Sequence, residues 1–302
     1  MMKGKLYAPK SEKSGYLFIA PALALMLVFI VYSLISSLHI SFTRWSGLGV
    51  MDYIGLGNYA ELMRDGVFWN SIKVTFIWVA LSVVILASSG MILALVVEYF
   101  IPLRSLTSSF RTILFMPMMM STVAISLMWT LIFNPTMGLL NELLRTFGLI
   151  SKYQTVDLLG NYDWAIFVTF IPVIWQWSGF GMVIFSAAMQ GIPGEIMEAA
   201  IVDGCSKGGQ IRHIVLPLLM PTVAMVCTLN LIGGFKCFDI IYVMTAGGPG
   251  TSTQVTSIYI FKQAFVNNHY GYSAAISSIL FLVTTGFGLI FFQSTKRLDN
   301  YV

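Results

Sequence analysis

The stretch Glu195 to Pro217, EIMEAAIVDGCSKGGQIRHIVLP, decides how this chain folds, because it is a polar island between two apolar segments that are each long enough to cross a bilayer. Pro193 presets a helical φ for a first turn, Glu195 and Glu198 suit the positive end of a helix, and Gly204 supplies the left-handed residue that stops one. The pattern predicts a short helix over 194–203. Beyond the break, Ser206 is placed to cap a second short helix carrying Lys207, Arg212 and His213, and Leu216-Pro217 leads back into apolar sequence. The segment reads as helix, turn and helix lying outside the hydrocarbon, a more specific pattern than a solvated loop needs.

Around this island the chain is 57% hydrophobic and only 10% charged, with a mean hydropathy of +0.81. These values lie outside the range of soluble globular domains and imply an all-α integral membrane protein. A membrane domain of 302 residues accommodates several spans and short loops, without room for an additional catalytic domain. The net charge of +4 is spread along the chain and gives no case for nucleic-acid binding. Cys205, Cys227 and Cys237 show neither CxxC spacing nor a histidine cluster, so no metal site or disulfide framework is expected. His39, His213 and His269 fall in or beside loops, which argues against a membrane-embedded enzyme and leaves no catalytic residue to name. No Walker sequence occurs, so ATP hydrolysis by a P-loop is not expected of this chain.

Six spans are expected, over 17–38, 71–97, 112–133, 164–190, 218–244 and 271–293. Residues 1–16, with Lys3, Lys5, Lys10 and Lys13, precede an apolar run that is too long for a signal-peptide core of ~7–15 residues, so the first helix is read as uncleaved. Pro21 is read into its early turn, Pro172 as a break in the fourth span, and Pro221 into the opening turn of the fifth. The cluster Met116-Pro117-Met118-Met119-Met120 reads as pliable helix packing rather than a metal site. Residues 138–144 have the period of a small amphipathic helix on the surface. Trp45, Tyr59 and Trp69 suit a membrane interface. Lys3, Lys5, Lys10, Lys13, Arg104, Arg111, Lys207, Arg212, Lys296 and Arg297 fall on the assigned inner side. Arg44, Arg64, Arg145, Lys152 and Lys262 fall on the longer outer segments. That bias puts both termini in the cytoplasm.

Glu198-Ala199-Ala200, Asp203-Gly204 and Ile214-Val215-Leu216-Pro217 together resemble the EAA motif of ABC importer permeases, most closely the carbohydrate, maltose-type branch. Cys205, Gly208 and Ile211 depart from that motif, standing where Ala, a bulky residue and Phe are common. A second stretch, FDIIYVMTAGGP over 238–249, with Thr251, Thr253 and Tyr259 downstream, resembles the Thr-x-Gly-Gly-Pro hallmark on the outer face of carbohydrate permeases. Residues 54–59 and 68–70 resemble the loop after the first core helix of the same group.

The resemblance implies a type I ABC importer permease of six transmembrane helices with a cytoplasmic coupling helix pair. Residues 17–302 would form one permease domain, with the coupling loop at 194–217, in a bacterial cytoplasmic (inner) membrane. It implies that Glu198, Ala199, Ala200, Asp203, Gly204, Leu216 and Pro217 seat in a groove of an ATP-hydrolysing subunit. ATP and Mg are then bound by partners, and no cofactor by this chain. The implied partners are a second, related permease in a heterodimer, two ATP-binding subunits, and a periplasmic or extracellular solute-binding protein that delivers a sugar. At Thr245, Gly247, Gly248 and Pro249 the glycines and proline turn sharply and let another backbone approach.

Polar residues inside spans mark candidate pathways, because unpaired polarity in hydrocarbon is costly. The fourth span offers Trp175, Gln176, Trp177, Ser178 and Phe180, of which Trp175, Gln176 and Phe180 are taken as candidates, and the fifth offers Asn230, Gly233, Gly234 and Cys237. Rings that pack on sugar CH faces, with amides for hydroxyls, suit a saccharide, although core packing explains the tryptophans equally well. Lys236 and Asp239, three apart on one helical face, are expected to pair. The alternatives are a self-sufficient secondary transporter or channel, which needs paired ionisable residues near the midplane, and a permease for glycerol phosphate.

Overall fold

Backbone polar groups in hydrocarbon must be satisfied within the chain, and apolar runs answer that need as helices. The computed structural model describes residues 12–101 and 104–296; Lys3, Lys5, Lys10 and Arg297 lie outside the described residues. Two compact units emerge, Met1–Met63 with Gln263–Ser278, and Arg64–Lys262 with Ile279–Val302.

In the smaller unit, α1 covers residues 12–40, its two α-helical parts joined by a wide π turn at Leu27–Val31. Helix already holds Glu12, so part of the expected tail is helical and Pro21 lies inside the helix rather than in its first turn. Nothing of the apolar window within Phe18–Ile40 is buried. The short strands β1 (Thr43–Arg44) and β2 (Asp52–Tyr53) form an antiparallel hairpin with Thr43 opposite Tyr53. The buried Asn58, on α2 (Gly57–Arg64), donates to the carbonyls of Ser41 at 2.8 Å and Thr43 at 2.9 Å, which fixes the chain where it leaves α1.

The larger unit is built on α3 (Gly66–Phe100), which runs as one helix across 35 residues. Asp65 caps it, its Oδ1 accepting from the amides of Val67 at 2.8 Å and Phe68 at 3.2 Å. After α4 (Arg104–Phe115), α5 (Thr122–Ile132) and the amphipathic α6 (Leu139–Thr146) comes α7 (Ala165–Gln190). The polar island forms α8 (Gly194–Val202) and α9 (Lys207–Leu218), followed by α10 (Met220–Phe235), α11 (Asp239–Thr245) and α12 (Thr256–Phe261). The final helix, α13 (Tyr270–Lys296), belongs to the smaller unit as far as Ser278.

Small residues let the central helices approach. Gly90 on α3 faces Gly181 on α7, and Gly234 on α10 sits against the Val79 backbone of α3. Above and below these contacts are two apolar cores. One surrounds Trp78 and Phe170, whose rings meet edge to face at 4.9 Å and 82°. The other gathers Met182 and Phe185 of α7 with Val215 and Leu219.

Among the described residues, four helices are long and apolar enough to cross a membrane, and two bent pairs raise the number to six if each pair makes one crossing. The bends correct the straight third and fifth spans. In the third, Leu106–Met119 meets Thr122–Ile132 at 94°. Pro117 starts a 3₁₀ turn, Met120 and Ser121 are extended, and Met116, Met119 and Met120 are exposed at the break instead of packed in a helix interior. In the fifth, Lys207–Leu218 meets Met220–Phe235 at 63°, and the helix ends at Phe235 rather than Met244. Pro221 stands at the start of α10, where its missing amide proton costs nothing. Pro172 does not break the fourth span. It is buried inside the continuous 26-residue α7, where packing between Phe170 and Val173 sustains the helix past the lost hydrogen bond.

Candidate functional site

The helix expected at 194–203 is found as Gly194–Val202, and its stop is local chemistry. Gly204 has φ +76°, the amide of Cys205 bonds back to the Ala200 carbonyl at 2.8 Å, and that of Gly204 to Ile201 at 3.0 Å. No atom lies within 4 Å of where a Gly204 Cβ would stand, so the backbone angle, not space, requires glycine. Ser206 Oγ accepts from the Gly209 amide at 3.2 Å, and the buried Gln210 side chain donates to the Cys205 carbonyl at 3.1 Å, holding the second helix to the turn. That second helix leads back into apolar sequence, as expected. It passes through Leu216 and Pro217 to Leu218 and bends directly into α10.

Ala200 and Val215 face inward, whereas Glu195, Glu198, Ala199, Asp203, Lys207 and Arg212 are exposed. So are Ile201 at 62% and Val202 at 87%, two apolar side chains held open on a polar knuckle. Sequence reasoning passed over both, because apolar residues in a helical period read as its buried face. Their open position places them with Glu198 and Ala199 on one exposed surface of mixed polar and apolar character.

A second feature is a cavity of about 440 Å³ between α3, α7 and α10, reaching the first turn of α11. Gln176, Phe180, Asn230, Gly233, Gly234 and Cys237 all line it. Trp175 does not; it turns away from the cavity, 40% exposed, and packs on Trp129 at 6.3 Å. Trp177 lines the cavity instead and meets Phe180 edge to face at 6.1 Å and 88°. Helical phase explains the exchange, since 173, 176, 177 and 180 share one face while 175 is turned about 100° from 176.

Gln176 is 1% exposed, and its Nε2 donates to the Met120 carbonyl at 3.3 Å and to Thr122 Oγ1 at 3.2 Å. The same amide therefore braces the 94° break of the third helix pair. Its Oε1, and Nδ2 of Asn230, are buried without a partner among the described residues. Each unmet group costs roughly 1–3 kcal/mol, so two residues of the cavity lining each hold a covered polar atom, one acceptor and one donor, that still needs a partner. Lys236 and Asp239 also line the cavity, but the expected pair is absent: no ion pair joins them among the described residues. Lys236 follows the last residue of α10 and Asp239 begins α11, with Phe238 non-helical between them, so the helical face that would align them does not exist.

The third feature is the turn at 245–249. Ala246 adopts φ +49° and Gly247 φ +91°, a sharp reversal in which Ala246 takes a left-handed position usually left to glycine. Thr245 Oγ1 and Thr253 Oγ1 lie 2.7 Å apart, and Thr253 also donates to the Gly248 carbonyl at 2.8 Å. Asn70 Nδ2 donates to the Thr251 carbonyl at 2.9 Å, and the Thr256 amide to Thr75 Oγ1 at 2.8 Å. The close approach at Gly247 is made from within the chain: a Cβ there would lie 3.2 Å from Lys262 Nζ and 3.3 Å from Gln254 Cβ. Burial holds the Lys262 ammonium below the usual lysine value, and its Nζ donates to Gln254 Oε1 at 2.9 Å.

Comparison with known proteins agrees with this architecture. A family model for binding-protein-dependent transport system inner membrane components matches residues 88–300. The chain is 34% identical to a probable ABC transporter permease of Bacillus subtilis, YurN, with 93% of this chain and 97% of the relative covered. It is 31% identical to the lactose transport system permease LacF of Rhizobium radiobacter, with 95% of each covered. Among solved structures, a bacterial alginate ABC transporter in complex with alginate pentasaccharide-bound periplasmic protein has a chain that superposes with a TM-score of 0.84. It shares 22% identity over 95% of both chains and shows the same fold. By family and by fold, this chain belongs to the inner membrane components of binding-protein-dependent transport systems, the permeases of ABC importers.

Proposed function

We propose that this chain is one of two related permease subunits of an ATP-driven importer that moves a sugar or oligosaccharide by alternating access. The single observation that carries the substrate class is the cavity lining, which combines the amide side chains of Gln176 and Asn230, each with one unpartnered polar atom, with the rings of Trp177 and Phe180. A saccharide meets both demands at once, hydroxyls for the open acceptor and donor and CH faces for the rings. The lactose permease relative and the alginate-transporter neighbour favour the same class.

In this reading a periplasmic or extracellular binding protein delivers the sugar. Two separate subunits bind ATP and Mg, and their closure displaces the 194–217 element through Glu198, Ala199, Ile201 and Val202. Gly204 and Ser206 keep that element rigid enough to push. Both termini and the element lie on the cytoplasmic side, as the distribution of lysine and arginine favours. The 17–302 segment acts as one permease domain.

The test is reconstitution in proteoliposomes with the partner permease, the ATPase subunits and the binding protein. ATP-dependent accumulation of a labelled saccharide is expected, lost when the ATPase subunits are left out. Uptake that persists without them contradicts the importer reading and favours a secondary transporter.

A further inference from the structure

At the edge of the core that holds Met182 and Phe185, Arg111 on α4 reaches the end of two other helices. Its Nη2 donates to Glu98 Oε1, in the last turn of α3, and the pair is half-buried, with side-chain exposures of 31% for Arg111 and 15% for Glu98. With the Gln190 amide oriented so that its oxygen faces the guanidinium, Arg111 also donates to Gln190, Nη1 lying 3.1 Å away. Gln190 is the last residue of α7. Only Gly191, Ile192 and Pro193 separate it from α8, and they are not slack: the amides of Gly191 and Ile192 bond back to Ala188 at 3.1 Å and Met189 at 3.2 Å.

The same place is packed from the other side. Val97 and Met189 share one apolar cluster with Val215 of the polar island, and Ile192 and Met197 lean on it. Apolar contact alone lets helices slide, because it has no preferred direction. A planar guanidinium held to a carboxylate and an amide oxygen fixes both distance and orientation. Charges are rare in membrane helices, and these two are 13 residues apart in sequence on different helices, so no helical repeat brings them together by default.

We propose that the Glu98–Arg111–Gln190 tie locks the ends of α3, α4 and α7 to the coupling element, so that a push on 194–217 moves all three helices as one body. Arg111 is then a positioning residue for transport. The proposal rests on the importer reading above and adds the joint through which displacement leaves the knuckle.

The experiment uses the assembled complex, with the three native cysteines replaced by serine and spin labels on Ser108→Cys and Val202→Cys, both exposed positions. Pulsed EPR measures the distance between α4 and α8 with and without a non-hydrolysable ATP analogue. With the tie intact, one distance is expected, unshifted by nucleotide. In Arg111→Met and Glu98→Gln a second distance should appear on nucleotide binding, and the exchange Glu98→Arg with Arg111→Glu should restore the single one. Arg111→Lys keeps the charge but loses the fork, so it should show the second distance at a smaller fraction, which covers the case where the methionine variant fails to assemble. A single unshifted distance in Arg111→Met or Arg111→Lys, or two distances with the tie intact, overturns the proposal. Failure of ATPase subunits to co-purify with the unsubstituted chain would instead strike the importer reading itself.

Discussion

Gly90 and Gly181 meet backbone to backbone: a Cβ on Gly90 would lie 2.9 Å from Gly181 Cα, and one on Gly181 would lie 3.3 Å from Gly90 Cα. This contact joins α3 to α7, the two helices that carry most of the buried wall of the cavity, and no flexible side chain lies there to give way. Gly90→Val should therefore force the helices apart at a cost of about 1–3 kcal/mol. Thermal unfolding in detergent should show a lower midpoint. Gly233→Ala, at an open position on α10, should leave it unchanged.

The turn of the polar island needs an angle and not a space. At Gly204, with φ +76°, a β-branched residue meets the left-handed penalty of roughly 1–2 kcal/mol or more, whereas asparagine tolerates that region. Gly204→Val is expected to reduce ATP-dependent uptake at normal membrane abundance, and Gly204→Asn to retain most of it. Equal uptake in both variants would show that the turn does not transmit force.

Helical phase separates two neighbouring tryptophans. Trp177→Ala removes a ring from the cavity wall and should raise the apparent KM for the transported saccharide, whereas Trp175→Ala, which loses only a contact with Trp129, should leave it unaltered. Gln176→Leu removes the open acceptor, worth ~1 kcal/mol or roughly fivefold in KM. It also frees the Met120 carbonyl at the 94° break, so kcat should fall with it.

The Thr-x-Gly-Gly-Pro turn is stitched into the body of its own unit. Thr253 is fully buried and bonds to both Thr245 and the Gly248 carbonyl, so Thr253→Val keeps the shape and strands those partners. A loss of about 1–3 kcal/mol is expected, read as a lower unfolding midpoint of the purified chain. An unchanged midpoint would mean that the turn is held by something other than this network.

Sequence legibility follows the range of the interactions. The turn at Gly204 and the cap at Ser206 depend on residues a few positions apart, and both were readable from glycine and serine alone. Apolar content located the four helices and two bent pairs that are long and apolar enough to cross a membrane among the described residues, but content carries no direction. The 94° and 63° bends and the early end of the fifth helix at Phe235 were therefore invisible to it. Pro172 misled for the opposite reason, since a proline signal is local while α7 is held straight by its neighbours. The expected Lys236–Asp239 pair needs a helix that runs on through Asp239, whereas α10 ends at Phe235. In the cavity, residue types pointed to Gln176, Phe180 and Asn230, and only the choice between Trp175 and Trp177 needed the helical phase to be worked through.

The most direct test concerns the face of the 194–217 knuckle. Val202→Cys, 87% exposed, in a chain otherwise free of cysteine, is placed in the reconstituted complex and treated with a short thiol-reactive cross-linker. A membrane-impermeant maleimide is applied separately from the outside. The expected result is a covalent product with an ATPase subunit that changes in yield with nucleotide, and no labelling from outside. Labelling from the outside, or an intact complex with no cross-link in any nucleotide state, would contradict the assignment of this element as the point where ATP hydrolysis drives the permease.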